Sequence, residues 1–252
     1  MTRSIVVDGT SLGITEVEDV ARHGALVRAD AVALERVAAT RQVVDDILDS
    51  GEVVYGINTG FGKLAEVRIS PDQLEELQLN LLRSHACGVG DPVPEDVVRA
   101  MLLLRANVLA TGHAGCRPVV IERLLDLLEA GIHPVVPSQG SVGASGDLAP
   151  LAHLALVLVG EGEAVMDGTR ISGAEALNKA GIEPLNLKAK EGLALINGTQ
   201  ASAAVGALAV ADARRLLDAA DVVCALSLDS MGGSDDAFVP AVHAARPHPG
   251  QI

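Results

Sequence analysis

Apolar positions recur along most of the chain with the spacing of amphipathic helices. Between Asp30 and Ser50, the larger aliphatic residues fall on roughly one side of a helix, and Gly51 follows as a stop signal. The same spacing predicts helices at Ser70 to about His85, Pro94 to Thr111, Pro118 to Ala130, Asp147 to Val159 and Ala174 to Ala180, and a long helix after Gly198. We therefore expect a mainly α protein.

A different pattern interrupts the helices near the N-terminus and again past the middle of the chain. "SIVVDG" alternates loosely and ends at an Asp-Gly turn signal, which predicts a short strand or a hairpin. "EAVMDGTRIS" predicts a β-hairpin around a second Asp-Gly turn. Thr15 and Glu18 have the spacing of a capping box for a short helix that runs to about Arg22. The mixed α/β part is therefore expected to be small and mostly N-terminal.

Composition and charge narrow the class of partner. Of the 252 residues, 49% are hydrophobic and only 1% are aromatic, so the core must be built from aliphatic side chains, which favours packed helices. The formal net charge is −14 without a cluster of basic residues, which argues against nucleic acid and against an anionic membrane surface. Charges between Asp212 and Asp221 argue against a membrane span in the long apolar segment.

The cysteines indicate a reducing compartment. There are three of them, widely spaced and without a Cys-x-x-Cys pair, which fits the cytoplasm better than a disulfide framework. His113 and Cys116 lie three residues apart, but no second ligand pair follows, so we expect no metal site.

The stretch from Gly140 to Leu156, "GSVGASGDLAPLAHLAL", concentrates small residues at the start of a helix. Such a loop is either a tight turn or a place where backbone atoms approach something closely. Familiar glycine motifs do not fit this chain. Leu64 follows the lysine of "GINTGFGKL" where a phosphate loop needs Ser or Thr, and Asp147 stands in "GASGD" where a nucleophile elbow needs glycine.

A third possibility is that the loop reacts with itself. The unhindered amide nitrogen of Gly146 can approach the carbonyl carbon of Ala144 if the turn is compressed. Ring closure with loss of one water, and loss of the Ser145 hydroxyl as a second, leaves an exocyclic methylidene group conjugated to the ring. The product would be an electrophile, which is chemistry otherwise left to a cofactor.

Five motifs occur together in one order along the chain. They are the loop above, "YGINTGFGKL" from Tyr55 to Leu64, "LQLNLLRSHACGVGDPVP", "INGTQ" from Ile196 to Gln200, and "RPHPGQ" from Arg246 to Gln251. Together they resemble the aromatic amino acid ammonia-lyase family over essentially the whole chain. The resemblance implies that Ala144, Ser145 and Gly146 form 4-methylidene-imidazol-5-one (MIO), with no external cofactor and no metal.

The resemblance also assigns roles to individual residues. It makes Tyr55 the general base that removes the β-proton of the substrate, on a glycine-containing loop that includes Gly60 and can open and close. It places the side-chain amide of Asn197 near the MIO group, whereas an ordinary Asn-Gly turn is the alternative. Asp147 is expected to help clamp the loop, with capping of the following helix as its simpler role.

Substrate choice depends on Ser84 and His85 in this comparison. A histidine at a helix C-terminus has an ordinary explanation in the helix dipole. Within the family, however, the Ser-His pair is similar to the histidine-specific members, because an imidazole can bond the imidazole of the substrate. This implies non-oxidative elimination of ammonia from L-histidine to trans-urocanate. A phenylalanine or tyrosine ammonia-lyase or aminomutase is the alternative enzyme.

The resemblance finally implies an architecture and an assembly. It predicts a small mixed α/β region, residues 1–112, that carries the Tyr55 loop, followed by the first part of a central long-helix bundle, residues 113–252, of the fumarase/aspartase-like superfamily. Members are cytoplasmic homotetramers about twice this length, so we expect a truncated bundle that lacks a glutamate and an arginine for the substrate. An inactive fragment that serves only folding or oligomerisation is the alternative outside enzymes.

Overall fold

The structure is a computed structural model that describes residues 4–60, 67, 69–70, 73–143 and 146–250. Its strands are β1 (Ser4–Val7), β2 (Leu26–Ala29), β3 (Val89–Pro92), β4 (His133–Pro134), β5 (Pro137–Gln139), β6 (Glu163–Met166) and β7 (Thr169–Ser172). Its helices are α1 (Ile14–His23), α2 (Ala31–Ser50), α3 (Leu74–His85), α4 (Glu95–Ala110), α5 (Pro118–Glu129), α6 (Leu148–Leu158), α7 (Gly173–Ala180), α8 (Glu191–Ile196), α9 (Gln200–Ser230) and α10 (Pro240–Ala244), with a 3-10 turn at Asp236–Phe238. The predicted mainly α fold is confirmed.

The contacts group the chain into two compact units that meet between Leu208 and Ala209. In the first unit, α4 packs against α1, α2 and α5, and α6 packs against α3, α7 and α8. Almost every residue of α6 is apolar and buried, as expected of a helix surrounded by protein. The division predicted after residue 112 falls between α4 and α5, and it stays a prediction about the complete protein.

The N-terminal strand is confirmed, but it pairs in parallel with β2 and does not form a hairpin. Parallel pairing needs a crossover connection, which α1 supplies. The capping box predicted at Thr15 and Glu18 is wrong, because the helix begins two residues earlier in the chain. Gly13 is the N-cap of α1, and the Glu16 carboxylate accepts a hydrogen bond from its amide at 3.1 Å.

The second hairpin, β6–β7, is confirmed. Asp167 and Gly168 both have positive φ at its turn, which suits the right-handed twist of the strands. The remaining short strands pair β4 with β6 and β3 with β5, and they lie in segments between the predicted helices where the sequence pattern predicts no strand. Helix α3 begins at Leu74, later than the predicted start at Ser70.

The second unit contains most of α9 and all of α10. Large apolar side chains are exposed along this part of α9, among them Leu216, Leu217, Val222, Val223 and Leu226. The stretch Glu191–Ser230 is long and apolar enough to cross a membrane by length and composition, and one such stretch is weak evidence because core helices of soluble proteins share these properties. The absence of a membrane partner stays a prediction.

Candidate active site

The small-residue loop before α6 lies against the backbone of the loop between α8 and α9. Gly146 has φ +125°, and a Cβ atom built on it would lie 2.8 Å from the carbonyl oxygen and 3.0 Å from the amide nitrogen of Gly198. The next amide, Asp147 N–H, donates to that same carbonyl oxygen at 2.6 Å. The small residue at 146 therefore permits a close backbone approach. Ala144 and Ser145 lie outside the described residues.

A second close approach joins this loop to the segment that follows α3. A Cβ atom on Gly140 would lie 3.1 Å from the Cα atom of Gly88. The amide of Gly88 donates to Nε2 of His153 at 3.0 Å, and that ring belongs to α6. Burial lowers the pKa of His153, which favours the neutral ring that can accept this bond. His153 thus joins α6 to the segment that follows α3.

Asp147 connects the loop to α9. Its side chain is 1% exposed and accepts hydrogen bonds from the Ser141 hydroxyl at 2.7 Å, the Ser202 hydroxyl at 2.8 Å and the Ser202 amide at 2.8 Å. Burial alone would raise the pKa of Asp147, but these hydrogen bonds hold it below its ordinary value. Within the described residues the carboxylate makes no cap bond to its own helix α6, so the simpler capping role is wrong and the bond to α9 replaces it.

Tyr55 lies on a turn whose shape is held by its neighbours. The Asn58 side chain accepts from the Val54 amide at 2.9 Å and donates to the Glu52 carbonyl at 2.6 Å. The Thr59 hydroxyl accepts from the Gly56 amide at 3.2 Å and donates to the Gly60 carbonyl at 2.9 Å. Asn58 and Thr59 therefore set loop geometry.

The turn also approaches helix α8, and its tyrosine is largely exposed. Gly56 has φ +77°, and a Cβ atom there would lie 3.2 Å from Cδ2 of Leu193 in α8. Tyr55 itself is 61% exposed. The Gly60 amide donates to the Val67 carbonyl at 3.0 Å, and the rest of the predicted motif up to Leu64 lies outside the described residues.

His85 is half-buried at the end of α3, with its ring orientation fixed. Its Nδ1 lies 2.8 Å from the Leu81 carbonyl oxygen, which can only accept, so Nδ1 carries the proton. In the neutral ring Nε2 is then an acceptor. The exposed Ser84 hydroxyl lies 3.0 Å from the same carbonyl oxygen and 3.1 Å from Nδ1 of His85.

Sequence reasoning missed the buried arginine that holds the start of the α8–α9 loop. Arg105 of α4 is 3% exposed, and its Nη1 and Nη2 atoms each lie 3.2 Å from the main-chain carbonyl oxygen of Asn197. Nη1 also donates to Oε1 of Gln200 at 2.6 Å, and Nη2 donates to the Ala194 carbonyl. The Asn197 side chain is exposed. The signal was a single charge inside the apolar run "MLLLRANVLA".

Sequence reasoning also did not identify the ion pair between Glu191 and Arg117 at the N-terminal end of α8. Glu191 is fully buried. Its Oε1 accepts hydrogen bonds from the main-chain amide of Arg117 at 3.0 Å and from Nε of the Arg117 side chain at 2.8 Å. Its Oε2 accepts from Nη2 of Arg117 at 2.8 Å and from the Lys188 amide. This is a partly buried ion pair in which the fully buried partner, Glu191, has hydrogen bonds to both carboxylate oxygens. The short helix is thus anchored at both ends by arginine contacts. No group of three or more metal-ligating side chains occurs in the part of the chain that was described.

Comparison with known proteins places these loops in a family. The profile described as aromatic amino acid lyase matches residues 12–252. A histidine ammonia-lyase of Gloeobacter violaceus is 55% identical over 251 residues, which is 100% of this chain and 49% of that protein. The crystal structure of a histidine ammonia-lyase from Trypanosoma cruzi has a TM-score of 0.92 at 42% identity, over 98% of this chain and 48% of that one.

A tyrosine aminomutase has nearly the same fold. The structure from Streptomyces globisporus gives a TM-score of 0.93 at 40% identity, over 99% of this chain and 47% of that one. The chain thus spans about half the length of the relatives it matches. With a family profile over nearly all of its residues and relatives above half identity, the chain belongs to the aromatic amino acid lyase family.

Proposed function

We propose that this chain carries part of the active site of a histidine ammonia-lyase, which eliminates ammonia from L-histidine without oxidation and gives trans-urocanate. The observation that carries the proposal is the contact of Gly146 with the Gly198 backbone, because it occurs in the loop whose small residues the proposed chemistry requires. The identity to histidine ammonia-lyases and the presence of His85 support the choice of substrate.

The residues present fit an MIO group. Gly146 has a φ that L side chains rarely adopt and a neighbour that a Cβ would meet at 2.8 Å, so position 146 suits a residue whose amide must stay unhindered. Formation from Ala144, Ser145 and Gly146 releases two waters and needs no external cofactor. When present, the group supplies an electrophilic carbon that makes the amine a better leaving group.

Tyr55 is proposed to accept the proton from the β-carbon of the substrate. The turn that carries it is set by Asn58 and Thr59 and approaches α8, the helix that leads to Asn197. Helix α8 would thus position Tyr55, the proposed base, relative to Asn197, the residue proposed to bind the substrate. A general base must lie within hydrogen-bond reach of the proton that it removes.

His85 is proposed to select the substrate. Its Nδ1–H is held by the Leu81 carbonyl, so Nε2 can accept a hydrogen bond from an N–H of the substrate imidazole. A phenyl ring carries no hydrogen-bond donor and would leave that nitrogen unpaired. A site that hydrogen-bonds its substrate discriminates strongly against analogues that lack the donor.

Intact mass and product analysis together test this proposal. A protein lighter than its encoded chain by two waters, with release of ammonia and urocanate from L-histidine, is the expected result. An unshifted mass contradicts MIO formation and favours an inactive fragment. The likeness to tyrosine aminomutase structures gives a second candidate, so a preference for L-tyrosine or L-phenylalanine over L-histidine would overturn the substrate assignment.

The complete protein is proposed to be a cytoplasmic homotetramer that binds a small amino acid. The support is family membership together with the exposed apolar side chains on α9, which are the kind of surface that assembly covers. Light scattering of the complete protein tests the assembly.

A further inference from the structure

Arg105 is a buried cation whose hydrogen bonds all go to one short segment. In the described part of the chain, its guanidinium bonds main-chain or side-chain oxygens of Ala194, Asn197 and Gln200, which span the end of α8 and the start of α9. Arg105 itself lies on α4, 89 residues before Ala194 in the chain. The guanidinium therefore fixes this segment relative to the core.

Among the described residues, Arg105 has no carboxylate partner. Its Nε–H also has no hydrogen-bond acceptor there. The Cys116 thiol is nearby, but burial raises its pKa to about 11, so it carries no negative charge near neutral pH. A buried, uncompensated charge is unfavourable, and such a group calls for an explanation in addition to packing.

The segment that Arg105 holds is in contact with two parts of the candidate site. The carbonyl of Gly198 accepts from the Asp147 amide at 2.6 Å, and Gly146 lies against the same peptide unit. Helix α8 also approaches the Tyr55 turn through Leu193. A displacement of the Asn197 carbonyl would therefore move the surface against which the loop at 146–147 is held.

From these contacts we propose that Arg105 is a positioning residue of the active site. Its planar fork fixes the Asn197–Gly198 backbone, and that backbone holds the loop at Gly146 and Asp147 in its reactive arrangement. The inference rests on the proposed function and deepens it. A lysine has the same charge but cannot bond these oxygens with a planar fork, so charge alone should not replace arginine.

The experiment compares Arg105→Lys and Arg105→Met with the parent protein at its full natural length. Arg99→Lys is the matched control, because Arg99 lies on the same helix but bonds the Val20 carbonyl, at 2.8 Å, and not the α8–α9 segment. We expect both Arg105 variants to lower kcat for L-histidine by about 10- to 100-fold with little change in KM, as misplacement of catalytic geometry does. Hydrogen exchange at the Asp147 amide should quicken in both, and in the control neither quantity should change.

Three outcomes would overturn the proposal about Arg105. Retention of parental kcat in Arg105→Lys means that charge suffices, and an equal loss in Arg99→Lys means that the effect is general helix destabilisation. Failure of Arg105→Lys to fold while Arg99→Lys folds makes Arg105 a folding residue. If the parent neither loses two waters nor releases ammonia, the proposed function fails, and exchange at Asp147 still tests the contact.

Discussion

The amide nitrogen of Asp147 lies 2.6 Å from the carbonyl oxygen of Gly198. These residues are far apart in the chain, and their bond joins the loop before α6 to the loop before α9. Asp147 strengthens the junction with its carboxylate, which accepts hydrogen bonds from the amide and the hydroxyl of Ser202 in the first turn of α9. The loop at Gly146 and Asp147 is therefore held by backbone and side chain together, and the following predictions test the parts of this arrangement.

Gly146→Ala should abolish MIO formation. The new Cβ would lie 2.8 Å from the Gly198 oxygen, so the two loops must separate. Intact mass should show the full encoded chain with no loss of water. Gly143→Ala is the matched control, because Gly143 also has positive φ, at +70°, but no described atom lies within 4 Å of its Cβ position. Both variants place a side chain at a positive φ, which costs on the order of 1–3 kcal/mol, and only the first should lose the ring.

Asp147→Asn should make the free energy of unfolding depend less on pH in the acidic range. The folded-state pKa of Asp147 is below its ordinary value of 3.8, so its contribution is fully present above that pH and is lost as pH falls through the lower folded pKa. Denaturant unfolding at several pH values measures this loss. Glu163→Gln is the control, because its ion pair with Arg170 is exposed and such pairs contribute little. Equal pH profiles for the two variants would contradict a special role for Asp147.

His85→Leu should shift substrate preference away from L-histidine. Loss of the Nε2 acceptor removes one hydrogen bond, which lowers kcat/KM for L-histidine by roughly threefold to tenfold or more, while L-phenylalanine gains relative to it. Steady-state rates with both substrates measure the ratio. Ser84→Ala should have a smaller effect, since the Leu81 carbonyl still fixes the ring. An unchanged ratio in His85→Leu would remove His85 from substrate selection.

Tyr55→Phe should reduce kcat by about 10²- to 10⁴-fold while the protein stays folded. Tyr55 is 61% exposed and is not part of the buried core, so the substitution should leave the described core unchanged. Asn58→Ala tests the support of the turn. It removes the bonds to Val54 and Glu52, and should lower kcat while leaving the Tyr55 hydroxyl present. Full activity in Tyr55→Phe would exclude this residue as the base.

Local patterns were sufficient for most helices and for one hairpin. The apolar spacing of α2 and α5 predicts their extent to within a residue or two, and the Asp167-Gly168 pair predicts a turn with positive φ. Propensity and spacing act over a few residues, so they can be seen in one segment alone. The capping box at Thr15 failed because Gly13 and Glu16 offered another pair of the same spacing two residues earlier.

The motif residues of the candidate site were visible in the sequence, but their contacts were not. Nothing near Asp147 indicates that its carboxylate binds Ser202, 55 residues away, in preference to capping α6. Arg105 looked like an ordinary helix residue until the fold placed it against Asn197, 92 positions on. Partners at such separations are chosen by the packing of whole helices.

The sequence by itself determined that the chain is mainly helical, that its core is aliphatic, and that one loop is composed of residues small enough for a compressed backbone. The tertiary structure alone decided that the Gly198 backbone lies against Gly146, that β1 pairs in parallel with β2, and that Arg105 bonds the Asn197 carbonyl. The physical reason is that steric freedom is a property of a residue type, whereas close approach depends on which distant segments the buried core brings together.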